Sequence, residues 1–77
     1  MRKILIGKIY HHFKGHDYEV LNIGTHSETL EKMVIYKNTS NGEIWVRPYE
    51  MFNGLMDKNK YPDIKQKYRF ELKEGGK

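Results

Sequence analysis

The chain has 77 residues, a formal net charge of +4 and no cysteine; 38% of its residues are hydrophobic, 13% aromatic and 31% charged. That length leaves room for one small domain, and ten aromatic residues supply the large buried areas that a disordered chain lacks. The missing cysteine excludes disulfide frameworks, thiolate metal sites, redox motifs and cysteine nucleophiles. Residues 1–48 and 49–77 each hold seven Lys/Arg against five Asp/Glu, so there is no basic tail.

Met1-Arg2-Lys3 followed by Ile4-Leu5-Ile6 has the outline of a signal peptide, but Gly7-Lys8 interrupts the apolar run at once. The run is also far below the ~20 residues that span a bilayer, so the expected setting is the cytoplasm, with no membrane contact. Residues 8–13 are β-branched and aromatic and predict a first strand. Lys14-Gly15-His16-Asp17 reads as a turn in which Gly15 takes a positive φ, and 18–26 as the second strand, with Gly24 a site for a bulge.

His26-Ser27-Glu28-Thr29 breaks the pattern and predicts a structured loop. Residues 32–38 follow as a third strand, Asn38–Gly42 as a tight turn carrying Asn-Gly, and 43–48 as a fourth strand ended by Pro48. Tyr49–Leu55 predicts a helical turn, 57–64 a polar loop, and 66–73 a last strand in which Tyr68, Phe70 and Leu72 share a face. Residues 74–77 should fray.

The expected fold is all-β: a small antiparallel, SH3-like five-stranded barrel with one short helical turn, its sheet curled to bury one face and reduce exposed edges. Its expected core is Ile9, Val20, Val34, Ile44, Val46, Phe70 and Leu72. With Ile44 and Val46 inward, Trp45 and Arg47 stand outside.

Gly7-Lys8-Ile9-Tyr10-His11-His12-Phe13-Lys14-Gly15, Tyr18-Glu19-Val20, His26-Ser27-Glu28-Thr29, Val34-Ile35-Tyr36, Trp45-Val46-Arg47-Pro48 and Met51-Phe52 stand in one order. In this the chain resembles the DUF1653 proteins, small bacterial proteins of unknown function, over roughly residues 7–52. Thr25 stands where that pattern often has a basic residue. The resemblance implies one compact cytoplasmic domain and assigns no activity or catalytic residue.

Three sets of side chains are candidates for chemistry. His26, Ser27, Glu28 and Thr29 place an imidazole, two hydroxyls and a carboxylate within four residues, suited to a polar ligand or, alternatively, to capping a turn. Trp45 and Arg47 combine a stacking ring with a planar fork for phosphate or carboxylate. Tyr10, His12 and Lys14 alternate along the first strand. His26, Ser27, Glu28, Thr29 and Arg47 are expected to meet at one end of the barrel, with His12 and Lys14 near them and Arg47 as the anchor, held either by Glu28 or by an external anion. His11 and His12 point to opposite faces and no H-x-x-x-H spacing exists, so no metal site and no cofactor are expected.

The function expected from this pattern is a binding module for an anionic ligand, nucleic acid or nucleotide-like. A protein–protein interaction domain of SH3 type is the alternative. A small hydrolase using carboxylates among Glu28, Glu31, Glu43 and Glu50 is a third. The expected partners are thus a nucleotide-like anion or a protein, with the chain a monomer or homodimer.

Overall fold

The β-branched and aromatic runs form strands β1 (Ile9–His12), β2 (Asp17–Thr25), β3 (Lys32–Asn38), β4 (Ile44–Pro48) and β5 (Phe70–Leu72), with a single helical turn α1 (Tyr49–Phe52) before the last. This is a computed structural model that describes residues 2–73; the expected frayed tail, 74–77, lies outside the described residues. The strands make one sheet in the order β4-β3-β2-β1-β5, every neighbour antiparallel.

No ladder joins β4 to β5, so the sheet is not closed into the expected barrel. The reason lies in what fills the curl. Phe52 of α1 stacks on Phe70 at 4.1 Å between ring centroids and meets Tyr36 at 5.1 Å. Tyr18 and Tyr36 reach Phe70 from neighbouring strands at 5.8 and 5.6 Å. An aromatic plug this wide holds the two edges apart while still burying the concave face. Around it, Ile4, Tyr10, Val20 and Val34 complete the core, and all are buried.

The core expectation holds for Val20, Val34 and Phe70 and fails for β4. Ile44 and Val46 are 61% and 58% exposed. In the β3–β4 register Val34 lies opposite Arg47 and Tyr36 opposite Trp45. Directly opposed residues share a face, so the buried Val34 and Tyr36 put Arg47 and Trp45 on the concave side and turn Ile44 and Val46 outward. Ile9 is only half-buried, because the buried position in β1 is Tyr10; Leu72 lies opposite Tyr10 on the core face but ends the edge strand β5, and is 37% exposed.

The bulge in β2 falls between Val20 and Asn22 rather than at Gly24, and the Asn22 side-chain oxygen accepts the Ile23 amide at 2.8 Å. Helix α1 stops at Phe52, short of the expected Leu55. Asn53 donates to the Arg2 carbonyl and accepts from the Arg2 guanidinium, and Leu55 then bridges to Tyr68. That bridge also shortens β5. The Glu71 carboxylate accepts the Lys67 and Tyr68 amides at 2.7 and 3.0 Å, bending the chain before Phe70. On the convex face Asp17 joins His11 and Lys73, at 2.7 and 2.6 Å.

Gly15 closes the β1–β2 turn at φ +105°, and its amide donates to the His12 carbonyl at 2.8 Å. Nothing lies within 4 Å of where a Cβ would stand, so crowding by neighbours does not enter. Gly15→Ala is expected to cost about 1 kcal/mol or more from the left-handed backbone alone. A urea midpoint equal to wild type would show that the turn relaxes to a negative φ.

Candidate functional site

The turn after β1 sets the first wall of a cleft. The Lys14 amide donates to His12 Nδ1 at 3.1 Å, which places the ring proton on Nε2. The imidazole is stacked on Phe13, 4.5 Å between centroids, and lies edge-on to Phe70 at 4.7 Å. Burial first, then the charges of Arg47, Lys14, His16 and Arg69, push the His12 pKa down from 6.5 to about 4. His12 therefore enters neutral solution as an uncharged donor held among cations.

The second wall is Arg47. Its Nε donates to the Tyr36 hydroxyl at 3.2 Å and its guanidinium carbon lies 5.8 Å from the Phe70 ring centroid. An Arg on a concave sheet face is tolerated because its stem covers apolar surface while the head reaches the rim.

The third wall is the connection between α1 and β5. The Asp57 carboxylate accepts the Asn59 and Lys60 amides at 3.1 and 3.3 Å, fixing a turn that seats Tyr61 against Phe13 at 4.8 Å. Lys60 lies 5.7 Å from the Tyr61 ring centroid. The Arg69 carbonyl accepts the Phe13 amide at 3.1 Å, tying the start of the last strand to the first turn.

These walls enclose about 280 Å³, with Lys14, Arg47, Lys60 and Arg69 on its lining against the one carboxylate of Asp57. Among the described residues none of these four cations forms an ion pair. Positive charge left unpaired beside low-dielectric aromatic walls attracts anions more strongly than the same charge on an open surface.

The expected site thus divides. Arg47, His12 and Lys14 line one cleft. His26, Ser27, Glu28 and Thr29 line no part of it. His26 Nδ1 instead accepts the Glu28 and Thr29 amides at 3.1 and 3.2 Å, and the Thr29 hydroxyl accepts the Glu31 amide at 3.2 Å. That loop is held by its own polar groups, and no ion pair joins Glu28 to Arg47 among the described residues. Trp45 shares the face of Arg47 but lies off the cleft, 48% exposed.

Phe13, Lys60, Tyr61 and Arg69 were not legible as site residues. The basic-aromatic pair Lys60-Tyr61 was the available signal, but it sat in a stretch that reads as an ordinary polar loop. A wider groove of about 720 Å³ opens at the other side of α1, between Tyr49, Leu55 and Tyr68. Its charges are closer to balance, Arg2, Lys32 and Lys67 against Glu31 and Glu50, and the Arg2 guanidinium donates to the Asn53 side chain and the Phe70 carbonyl. No group of three or more His, Asp or Glu is placed to hold a metal among the described residues. No helix among them is long and apolar enough to cross a membrane.

One family model matches residues 8–72, and it is described as "Protein of unknown function (DUF1653)". The match extends past the motifs at 7–52 to take in the last strand and the connection carrying Lys60, Tyr61 and Arg69. Neither a search of curated proteins nor one of solved structures found a match.

Proposed function

Because the chain belongs to the DUF1653 family, which carries no assigned activity, we propose from the geometry of the cleft that it is a binding module for a nucleotide-class anion, free or within a nucleic-acid strand. The observation that carries this reading is the meeting of Lys14, Arg47, Lys60 and Arg69, without an ion pair among the described residues, beside Phe13 and Tyr61. Cations take the phosphate, Arg47 through its planar fork. An aromatic face offers stacking to any base without sequence preference. His12 Nε2 adds a neutral donor. An SH3-like classification is supported by the order β5-β1-β2-β3-β4 with a helical turn before β5. The cytoplasm, where nucleotides and RNA are concentrated, is the setting that suits such a ligand.

The test is fluorescence anisotropy with a fluorescein-labelled oligothymidylate at low salt, with ATP as competitor. Arg47→Ala and Arg69→Ala are each expected to weaken binding by about 10–100-fold, the range for a missing hydrogen bond to a charged group. Each should also flatten the dependence of log K on log salt by about 0.7 for every phosphate that is no longer neutralised. Competition by ATP identifies the free nucleotide as sufficient, while its failure assigns the site to a strand. Binding that survives both substitutions unchanged, or no binding of either probe, overturns the proposal.

A further inference from the structure

Strand β4 is an edge, paired to β3 alone, and three consecutive apolar side chains along it are open. Ile44, Trp45 and Val46 are 61%, 48% and 58% exposed. The Asn38 amide donates to the Glu43 carbonyl at 2.8 Å, so Glu43 turns its carbonyl toward β3, while its own amide donates to the Asn41 side-chain oxygen at 2.9 Å. By the alternation of an antiparallel ladder Trp45 and Arg47 turn both their N–H and C=O groups toward β3, and Ile44 and Val46 turn theirs outward. No described backbone hydrogen bond outside the β3 ladder reaches Ile44, Trp45 or Val46. A bare edge of this kind is a template for another strand.

We propose that the occupant is a second copy of this chain, its β4 pairing antiparallel with this one about a twofold axis at Trp45. The sequence Glu43-Ile44-Trp45-Val46-Arg47 is self-complementary in that register. Ile44 lies opposite the partner's Val46, and these are the residues whose backbone groups are free, so both hydrogen bonds of each pair form. Trp45 lies opposite the partner's Trp45 in a pair without hydrogen bonds, the kind that brings side chains closest. Glu43 lies opposite the partner's Arg47 at each end of the seam, and the Arg47 guanidinium stays on the Tyr36 hydroxyl, so the unlike charges attract across the seam without an ion pair that would take Arg47 from the cleft.

On the convex face Ile35, which sits opposite Val46, extends the apolar row formed by Ile44 and Val46. Other registers fail. Shifted one way, Trp45 meets Glu43. Shifted the other, Ile44 meets Pro48, which has no N–H to give. Pairing two five-residue strands buries less than the ~1,200 Å² of a standard interface, so the dimer is weak and concentration-dependent. It still covers an open apolar edge of a small chain that has no disulfide to staple it.

Sedimentation velocity on the full chain tests this, from about 1 μM to 1 mM, the span in which a weak pairing of this size titrates. Wild type is expected to pass from monomer to dimer across that range. Val46→Pro removes an N–H that the monomer does not use, and Ile44→Lys puts a charge on an exposed position. Each should weaken the dimer at least 10-fold while the circular dichroism spectrum stays that of wild type. Glu43→Arg and Arg47→Glu should each weaken it alone, and an equal mixture of the two should recover it, since each then meets the opposite charge. A chain that remains monomeric throughout overturns the proposal, even if a peptide from another protein adds to the same edge. So does a dimer indifferent to both Ile44→Lys and Val46→Pro.

Discussion

Phe70→Ala is expected to unfold the domain at ambient temperature, through a loss of about 3–5 kcal/mol, the range for deleting a buried aromatic ring. Phe70 is 1% exposed and is the ring on which the fold converges. It stacks on Phe52 and meets Tyr18 and Tyr36 edge-on, with His12 on another side. Because the sheet is not closed by a ladder, nothing in the backbone holds β4 and β5 at a fixed spacing. The aromatic plug sets that spacing, and removing its central ring opens a cavity that flanking strands cannot fill without separating. A core in a chain this short supplies only about 3–5 kcal/mol of net stability, so the loss is comparable to the whole. Urea denaturation followed by circular dichroism measures it. Met51→Ala, at a position 51% exposed on the same short helix as Phe52, serves as the control and should shift the midpoint little. A Phe70→Ala protein with a cooperative transition near that of wild type would show that the curl does not depend on the plug.

The second large effect is loss of stability in mild acid, traced to His12. Its pKa is about 4 in the folded chain, against an ordinary 6.5 when unfolded. The folded state therefore favours the neutral ring, and protonation favours unfolding. The contribution is fully present above about pH 6.5 and is lost progressively as pH falls towards 4. For a partly solvated ring this amounts to about 1–2 kcal/mol once solvent screening is allowed for. Asp17, held below its usual range by Lys73 and then His11, adds loss of the same sign at still lower pH, through protonation below about 3.8. His12→Asn, which keeps a side-chain acceptor for the Lys14 amide, should flatten the stability profile between pH 6.5 and 4 whatever it does to stability at neutral pH. The same ring reports on the cleft: a phosphate seated among Arg47, Lys14 and Arg69 offsets the cations that depress it, so added nucleotide should raise the His12 pKa. An NMR titration of the ring reads both effects. A midpoint near 6.5 without ligand would show that His12 is solvated and clear of those charges.

Both effects depend on which face of each strand is buried, and that is where the sequence and the tertiary structure part. The run of short strands, the glycine with positive φ at Gly15 and the Asn-Gly turn ending at Gly42 were legible, because each rests on the local steric preferences of a few adjacent residues. So was the buried character of Val20, Val34 and Phe70.

The face of β4 was not. Alternation divides Ile44 and Val46 from Trp45 and Arg47 but does not say which pair is inside; hydropathy favours the aliphatic pair. The β3 register decided otherwise, since Val34 and Tyr36 already faced the plug. That one inversion moved Arg47 away from the His26–Thr29 loop and into a cleft with His12 and Lys14, and it left Ile44 and Val46 on the open edge. Lys60 and Arg69 reached the same cleft from far along the chain, carried there by the Asp57 turn and by the amide of Phe13 bonded to the Arg69 carbonyl. The local conformations followed from neighbours in sequence. The register, the open sheet and the gathering of cations followed from contacts between residues distant in sequence, whose energies depend on the packed aromatic interior and have no counterpart in any short stretch of the chain.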